Sequence, residues 1–368
     1  TRKKKSQGFS AYSEYLHPSV PAWVARMRHS SGPGRYRFAQ DAYEPYDLDS
    51  SHMAQTTRCT VEAGVPEAER KAWIEYLKGL QRPSDGLLID EAMERHIICK
   101  GERPTEQEIY VVRRWTSRNG LSTIIELGGT PRYPLQHQEC FNTPEDVARH
   151  LASLPWSNPW GAGSTAGAII WFHRINQLLG DAKAGEIIEA AVKWLVERQD
   201  PATGAWSDGS AVPDHVLING IFKVWIQAIP NSRLPVQYPE KVIDLCIRGM
   251  RESPALANGA PDACSVFDVA LVLDTALRFT DHRRQEAADL AAAALPRLEP
   301  LLAPDGAFSY SPGQSLRSHG GLHLGPCKNQ SDMPGTAITC NAIALLCNLA
   351  GMRKDLGWAP ATETRMGL

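Results

Sequence analysis

The chain is predicted to be all-α, an α/α toroid (barrel) of paired inner and outer helices, on three observations. One phrase occurs three times in degraded form: YLKGLQRPSDGLLID around Leu77, WLVERQDPATGAW from Trp194 to Trp206, and LEPLLAPDGAFSY around Leu298. Each copy reads as an amphipathic helix, a proline-containing break and then Gly-x-apolar, at Gly86, Gly204 and Gly306, as stacked helical hairpins would. Helical periodicity runs through about ten segments joined by short loops. Finally, polar-faced segments alternate with apolar ones. Ala184 to Val196 and Arg283 to Leu298 carry charges on one face, as outer helices would, whereas Gly163 to Phe172 and Ala337 to Ala350 are apolar nearly all round.

Taken in order, residues 1–64 are rich in Pro, Gly and Tyr and read as a wrapping arm or an atypical first hairpin. Residues 65–368 read as the toroid domain, with a single domain favoured overall and a break near Pro134–Thr143 as the alternative. Val65 to Leu80 opens with Pro66 near its first turn, where a missing N–H does no harm. Thr105 to Arg118 follows Pro104 and stops at Asn119-Gly120, and Leu121 to Leu127 gives a strand signal. Thr143-Pro144-Glu145-Asp146 is an N-cap signature leading into Val147 to Leu154. Further helices are expected over Ser164 to Leu179, Lys183 to Gln199, Pro213 to Ile229, Pro239 to Arg251, Asp262 to Phe279, His282 to Leu302 and Thr336 to Met352.

With 43% hydrophobic and 22% charged residues in 368, the composition is globular. A formal charge of -2 gives no basis for a nucleic-acid partner, and the basic run Arg2-Lys3-Lys4-Lys5 reads as a solvated tail. No apolar run reaches the roughly 18 residues that a membrane span needs. The eight cysteines are scattered singly, without a C-x-x-C pair. Neither a metal site nor a cofactor is therefore expected, and reduced thiols suit a cytoplasmic protein. The chain begins at Thr1, so a removed leader, and hence secretion, stays open.

The helix followed by Q-x-x-x-x-G-x-W, at Gln199, Gly204 and Trp206, resembles two groups that share the toroid architecture. One is the six-hairpin glycosidases and polysaccharide lyases, including unsaturated uronyl hydrolases, whose helices often end in phrases such as QDPETGxW. The other, a weaker resemblance, is the terpenoid (squalene) cyclase and prenyltransferase group, whose QW repeat has Gln, Gly and Trp in the same order; Leu195 matches its earlier apolar position. The chain departs from the second group. The nearest counterpart of the cyclase Asp-x-Asp-Asp is Asp47-Leu48-Asp49-Ser50, which lacks the last acid, and no Asp-rich Mg²⁺ motif or Cys/His/Asp zinc spacing is present.

In a toroid, the loops entering the inner helices share one mouth, and four such loops concentrate chemistry. Tyr46-Asp47-Leu48-Asp49-Ser50-Ser51-His52 holds a phenol, carboxylates and an imidazole: Asp47 and Asp49 are candidate acid and base, with Tyr46 or His52 to shuttle a proton, or the cluster caps a helix. In Pro155-Trp156-Ser157-Asn158-Pro159-Trp160-Gly161-Ala162-Gly163, Trp156 and Trp160 suggest a sugar-stacking wall and Asn158 a polar contact; the glycines serve either an anion at the helix N-terminus or tight packing. His173 reads as a core histidine.

Asp208 lies two residues after Trp206, and His215, Asn219 and Lys223 then recur at a spacing of four on a helix that is otherwise apolar. Burying such a stripe is costly unless it is satisfied. The fourth loop carries His319, His323 and Asp332 ahead of an apolar helix; its Gly320-Gly321 argues against a helical zinc pair. Asp268, one turn into another apolar helix, is a candidate buried carboxylate with a raised pKa, suited to act as a general acid.

The first resemblance implies, and these residues suit, a carbohydrate-active enzyme, a glycoside hydrolase or polysaccharide lyase acting on a uronate-containing saccharide. The expected partner is a small-molecule or oligosaccharide substrate. Asp208, His215, Asp268, Tyr46, Asp49 and His319 are the catalytic candidates; Trp156, Asn158, Trp160, Trp206, Asn219, Lys223, His323 and Asp332 are the substrate-binding ones. Hydrolysis would need two carboxylates across a cleft, whereas a lyase would need a carboxylate neutraliser and a base. The alternatives are a cyclase-like enzyme protonating an isoprenoid through a buried Asp, and a non-catalytic toroid that binds a partner on its rim.

Overall fold

The computed structural model describes residues 2–62, 64–98, 104–253, 256, 262–319, 322–323, 325 and 328–361. Its helices are α1 (Arg2–Met27), α2 (Leu48–Val61), α3 (Glu67–Gly79), α4 (Glu91–Ile98), α5 (Glu106–Glu126), α6 (Pro144–Ser153), α7 (Pro159–Leu178), α8 (Ala184–Arg198), α9 (Asp214–Ala228), α10 (Pro239–Glu252), α11 (Ala263–Ala276), α12 (Arg284–Ala294), α13 (Met333–Leu349) and α14 (Arg353–Leu356), with 3₁₀ turns at Ile229–Asn231 and Leu295–Leu301. Extended structure among the described residues is limited to isolated bridges and one hairpin, β1 (Ser318–His319) against β2 (Leu322–His323). The fold is all-α, as the periodicity indicates.

Six helices carry the packing. Helix α2 packs on α5 and on α13, α13 on α11, α11 on α9, and α9 on α7. Behind them lie α1 on α2, α3 on α5, α8 on α7, α10 against both α9 and α11, and α12 on α13. Helix α13 is buried from Met333 through Cys347 without a break, whereas α8 buries Ala184, Ile187, Ile188, Ala191 and Leu195 and turns its charges outward. The closest pair is α7 with α9. A Cβ added at Gly163 would meet the Gly220 carbonyl oxygen at 2.8 Å, and one at Gly167 would meet that of Lys223 at 2.7 Å. These glycines let two backbones touch, so packing accounts for Gly163 without a bound anion. Helix α7 also contributes Ile169 and Ile170 to one hydrophobic cluster and Trp171 and Phe172 to another.

The repeated phrase is a connector. Gln199 Nε2 donates to the Gly204 carbonyl at 2.7 Å, and Gln81 Nε2 donates to that of Gly86 at 2.8 Å. Both glycines, and Gly306 in the third copy, have φ between 72° and 99°, a left-handed conformation that favours glycine. The third copy has Leu301 where the others have glutamine, and it closes through the Ala303 N–H to Ala307 O at 2.8 Å.

Three boundaries differ from expectation, the first because tertiary contacts outweigh a local signal. Asn119-Gly120 does not end α5, and Leu121 to Leu127 is not a strand; the helix runs to Glu126. A Cβ at Gly120 would meet Leu48 Cδ2 at 2.6 Å and Leu88 Cδ2 at 2.8 Å, and Asn119 donates to Asp49, so both residues serve packing between helices. Helix α7 starts at Pro159, capped by Asn158, and absorbs what looks like a loop. The segment from His282 to Leu302 is α-helical only over Arg284–Ala294 and then tightens into a 3₁₀ helix around Pro296 and Pro300, where proline removes backbone donors. Within the first 64 residues, α1 and α2 pack against each other, and α1 buries Leu16, Val20, Trp23 and Val24.

Candidate functional site

The six helices α2, α5, α7, α9, α11 and α13 line one cavity of about 530 Å³. Each presents residues three or four apart, a single face of a helix. Helix α5 gives Trp115, Arg118, Ser122 and Glu126; α7 gives Trp171, Arg174 and Leu178; α9 gives Phe222, Lys223, Ile226 and Gln227. Helix α2 adds His52 and Thr56, α11 Cys264 and Phe267, and α13 Ala337, Ile338 and Asn341. Continuing α5 past Asn119 is what brings Ser122 and Glu126 to the wall.

The wall is cationic and aromatic. The Arg118 guanidinium lies over the Trp115 ring at 4.4 Å and donates to Gln227 Oε1 at 3.2 Å, linking α5 to α9. The Lys223 ammonium stands 5.0 Å from the Trp160 ring centre, 5.2 Å from Phe222 and 6.0 Å from Trp115. Burial lowers its pKa, an effect that Asp268 opposes and Arg118 reinforces. Glu126 is the carboxylate among the described lining residues. His52 is held at Nδ1 by Thr123 Oγ1 at 2.9 Å.

Asp268 is buried, and its Oδ1 has no hydrogen-bond partner among the described residues. Burial pushes its pKa up to about 8, with Lys223 pulling down and Asp262 pushing up, so it holds its proton near neutrality. Cys264, one turn earlier, faces the cavity; burial and Asp268 raise its thiol to about 12, and Tyr310 hydrogen-bonds to it. A second raised carboxyl is Asp47, the N-cap of α2. Burial, with Asp90 and Asp49 beside it, lifts it to about 8, while its bonds to Ser50 act in the opposite direction.

Of the residues singled out in the sequence, the structure brings Lys223, Trp160 and Asp268 together, and ties Asp49 to the wall through Asn119. His52, from the first of the four loops, also lines the cavity, and the others are placed elsewhere. Asp208 is exposed and accepts from the Ser210 N–H at 3.0 Å; the Ser210 hydroxyl and then this N–H lower its pKa. His215 and Asn219 lie towards the start of α9, and eight residues of helix set His215 roughly 12 Å along the axis from Lys223. Trp206 is buried, with Nε1 donating to Leu195 O at 2.8 Å; Trp156 is buried, donates to Leu151 O at 2.9 Å and stacks on Trp194. Neither indole is among the cavity-lining residues.

Asn158 caps α7. Asp332 is a buried N-cap that accepts from the N–H groups of Gly335, Tyr310 and Leu316. Tyr46 is half-buried beside His29, with its ring 5.8 Å from the Arg35 guanidinium. His319 and His323 have their backbones in the β1–β2 hairpin, and their side chains lie outside the described residues. His173 is buried, with its ring nitrogens against the carbonyls of Ile169 and Phe141.

The cavity is walled largely by helix interiors and not by the helix-entry loops. Trp115, Arg118, Ser122 and Glu126 carried a signal, because their spacing of three to four is visible once α5 is allowed to continue. Among the described residues no helix is long and apolar enough to cross a membrane. No protein-family model matches the chain, and no curated protein matches it.

Proposed function

We propose that the six lining helices are the inner ring of an α/α toroid and that the chain is an enzyme of acidic, uronate-containing saccharides, working by elimination rather than by two-carboxylate hydrolysis. One observation carries the reading: Arg118, Arg174 and Lys223 reach one cavity from three helices beside the indoles of Trp115 and Trp171. Cations bind a carboxylate by charge-assisted hydrogen bonds, and indole faces stack on sugar rings. Glycoside hydrolysis requires a pair of carboxyl groups flanking the bond, whereas the described wall offers Glu126.

In elimination, Arg118 and Arg174 neutralise the uronate carboxylate and so acidify the adjacent C–H. His52, oriented through Thr123, accepts that proton. The electrons of the C–H bond form the double bond as the glycosidic oxygen departs with a proton from solvent. The test is incubation with uronate oligosaccharides while following absorbance in the unsaturated-uronate band. A rise that His52→Ala abolishes supports elimination; a fall on pre-unsaturated substrate indicates hydrolysis instead; silence on every saccharide bound defeats the enzymatic reading and leaves a binding toroid.

Asp268 favours a second reading. A carboxyl that stays protonated near neutrality, close to the cavity-lining Phe267 and Cys264, is the group a cyclase-like enzyme would use to protonate an isoprenoid. The cations Arg118 and Lys223 would repel the resulting carbocation, which ranks this reading second. Cyclic hydrocarbon from a linear isoprenoid, abolished by Asp268→Asn, would reverse the order.

A further inference from the structure

We infer that the Lys223 amine is a covalent site for small anionic aldehydes or ketones, which it captures as an imine. Lys223 as a residue is 7% exposed, so it is largely withdrawn from bulk water, yet it lines the cavity. Its ammonium lies over the faces of Trp160, Phe222 and Trp115, and among the described residues it makes no ion pair. An ammonium without a carboxylate partner gives up its proton more easily, and burial acts in that direction. A desolvated lysine near another cation is the arrangement that makes an amine nucleophilic. The nearby carboxyl, Asp268, is buried and protonated, so it does not lock the amine as an ion pair.

Arg118 and Arg174 line the same cavity, which selects a carbonyl compound that also bears a carboxylate. The nitrogen lone pair attacks the carbonyl carbon, the C=O electrons move to oxygen, and a proton passes from nitrogen to that oxygen to give a carbinolamine. The hydroxyl takes one proton from solvent and leaves as water while nitrogen forms the double bond. The product is an iminium ion and no oxidant is consumed. This inference does not depend on the saccharide reading, since any oxo acid of the right size meets the same groups.

The test treats the full chain with glyoxylate and cyanoborohydride, which reduces the imine to a stable carboxymethyl-lysine, and maps the modified peptides by mass spectrometry. Early labelling at Lys223 ahead of the exposed lysines Lys71 and Lys193, suppressed by a saturating excess of acetate or another non-reactive acid, is the expected result. Lys223→Arg should lose that label while the surface background stays. Labelling spread over Lys71 and Lys193 with Lys223 unmodified overturns the inference, and because this readout uses the unaltered protein it stands even if the variant fails to fold.

Discussion

The side-chain amide of Gln199 donates to the carbonyl of Gly204 at 2.7 Å, across a break that ends one helix and directs the chain towards the next. Gln199 is buried, so Gln199→Ala leaves a carbonyl without its partner and is expected to cost about 1–3 kcal/mol in denaturant unfolding. Gln81→Ala should cost more. Gln81 donates to both Gly86 O and Tyr133 O and accepts from the N–H groups of Arg132 and Tyr133. Equal losses for the two would mean that the second loop tied by Gln81 adds nothing.

Gly204 should resist replacement for two reasons that act together. Its φ of 72° is unfavourable for other residues, by about 1–2 kcal/mol. A Cβ there would also meet Val242 Cγ2 at 2.4 Å. Gly204→Ala is therefore expected to lower Tm more than Gly180→Ala, where φ is 94° but the Cβ space is open. Calorimetry of the two variants separates backbone strain from the clash.

The buried indoles should prove structural. Trp206→Phe and Trp156→Phe each remove one N–H donor and keep the ring in the core, so a loss of about 1 kcal/mol in stability is expected for each. Affinity for any saccharide should stay unchanged. A selective loss of affinity in Trp206→Phe, at unaltered Tm, would contradict that assignment.

Asp268 makes stability depend on pH with a defined sign. Its folded pKa, about 8, lies above the ordinary carboxyl value of 3.8, so the folded state binds the proton more tightly than the unfolded chain. That contribution is complete below about pH 4 and is lost as pH rises through 8, with Lys223 moderating it and Asp262 adding to it. Asp268→Asn should match the wild type near pH 4 and exceed it by roughly a few kcal/mol at pH 8. Parallel curves from urea unfolding across that window would show that Asp268 ionises freely in the fold.

The helices were legible because apolar spacing and caps are local: Thr143 does cap α6, accepting from the Asp146 N–H at 3.2 Å. The connector was legible too, since Gln81, Gln199 and the positive-φ glycines recur at matching places. The site was legible at Lys223 and His52, with Trp160 and Asp268 beside Lys223. A polar residue on an apolar helix stands out by its cost of burial, whereas Trp115, Arg118 and Ser122 sit on a half-exposed face that resembles a surface. Asp332 and Asn158 misled because a side chain that caps a helix has the same chemistry as one that binds a ligand.

The central claim is that ligand recognition resides in the helix-lined cavity and not in the helix-entry loops. Isothermal titration of a uronate trisaccharide against the wild type, Arg118→Ala, Trp115→Ala, Asp208→Asn and His215→Ala tests it most directly. Losing a charge-assisted bond or a stacking partner is expected to weaken Kd by about tenfold or more in the first two variants, while the last two stay close to wild type. Binding that survives Arg118→Ala and Trp115→Ala but is lost in Asp208→Asn or His215→Ala would contradict the account.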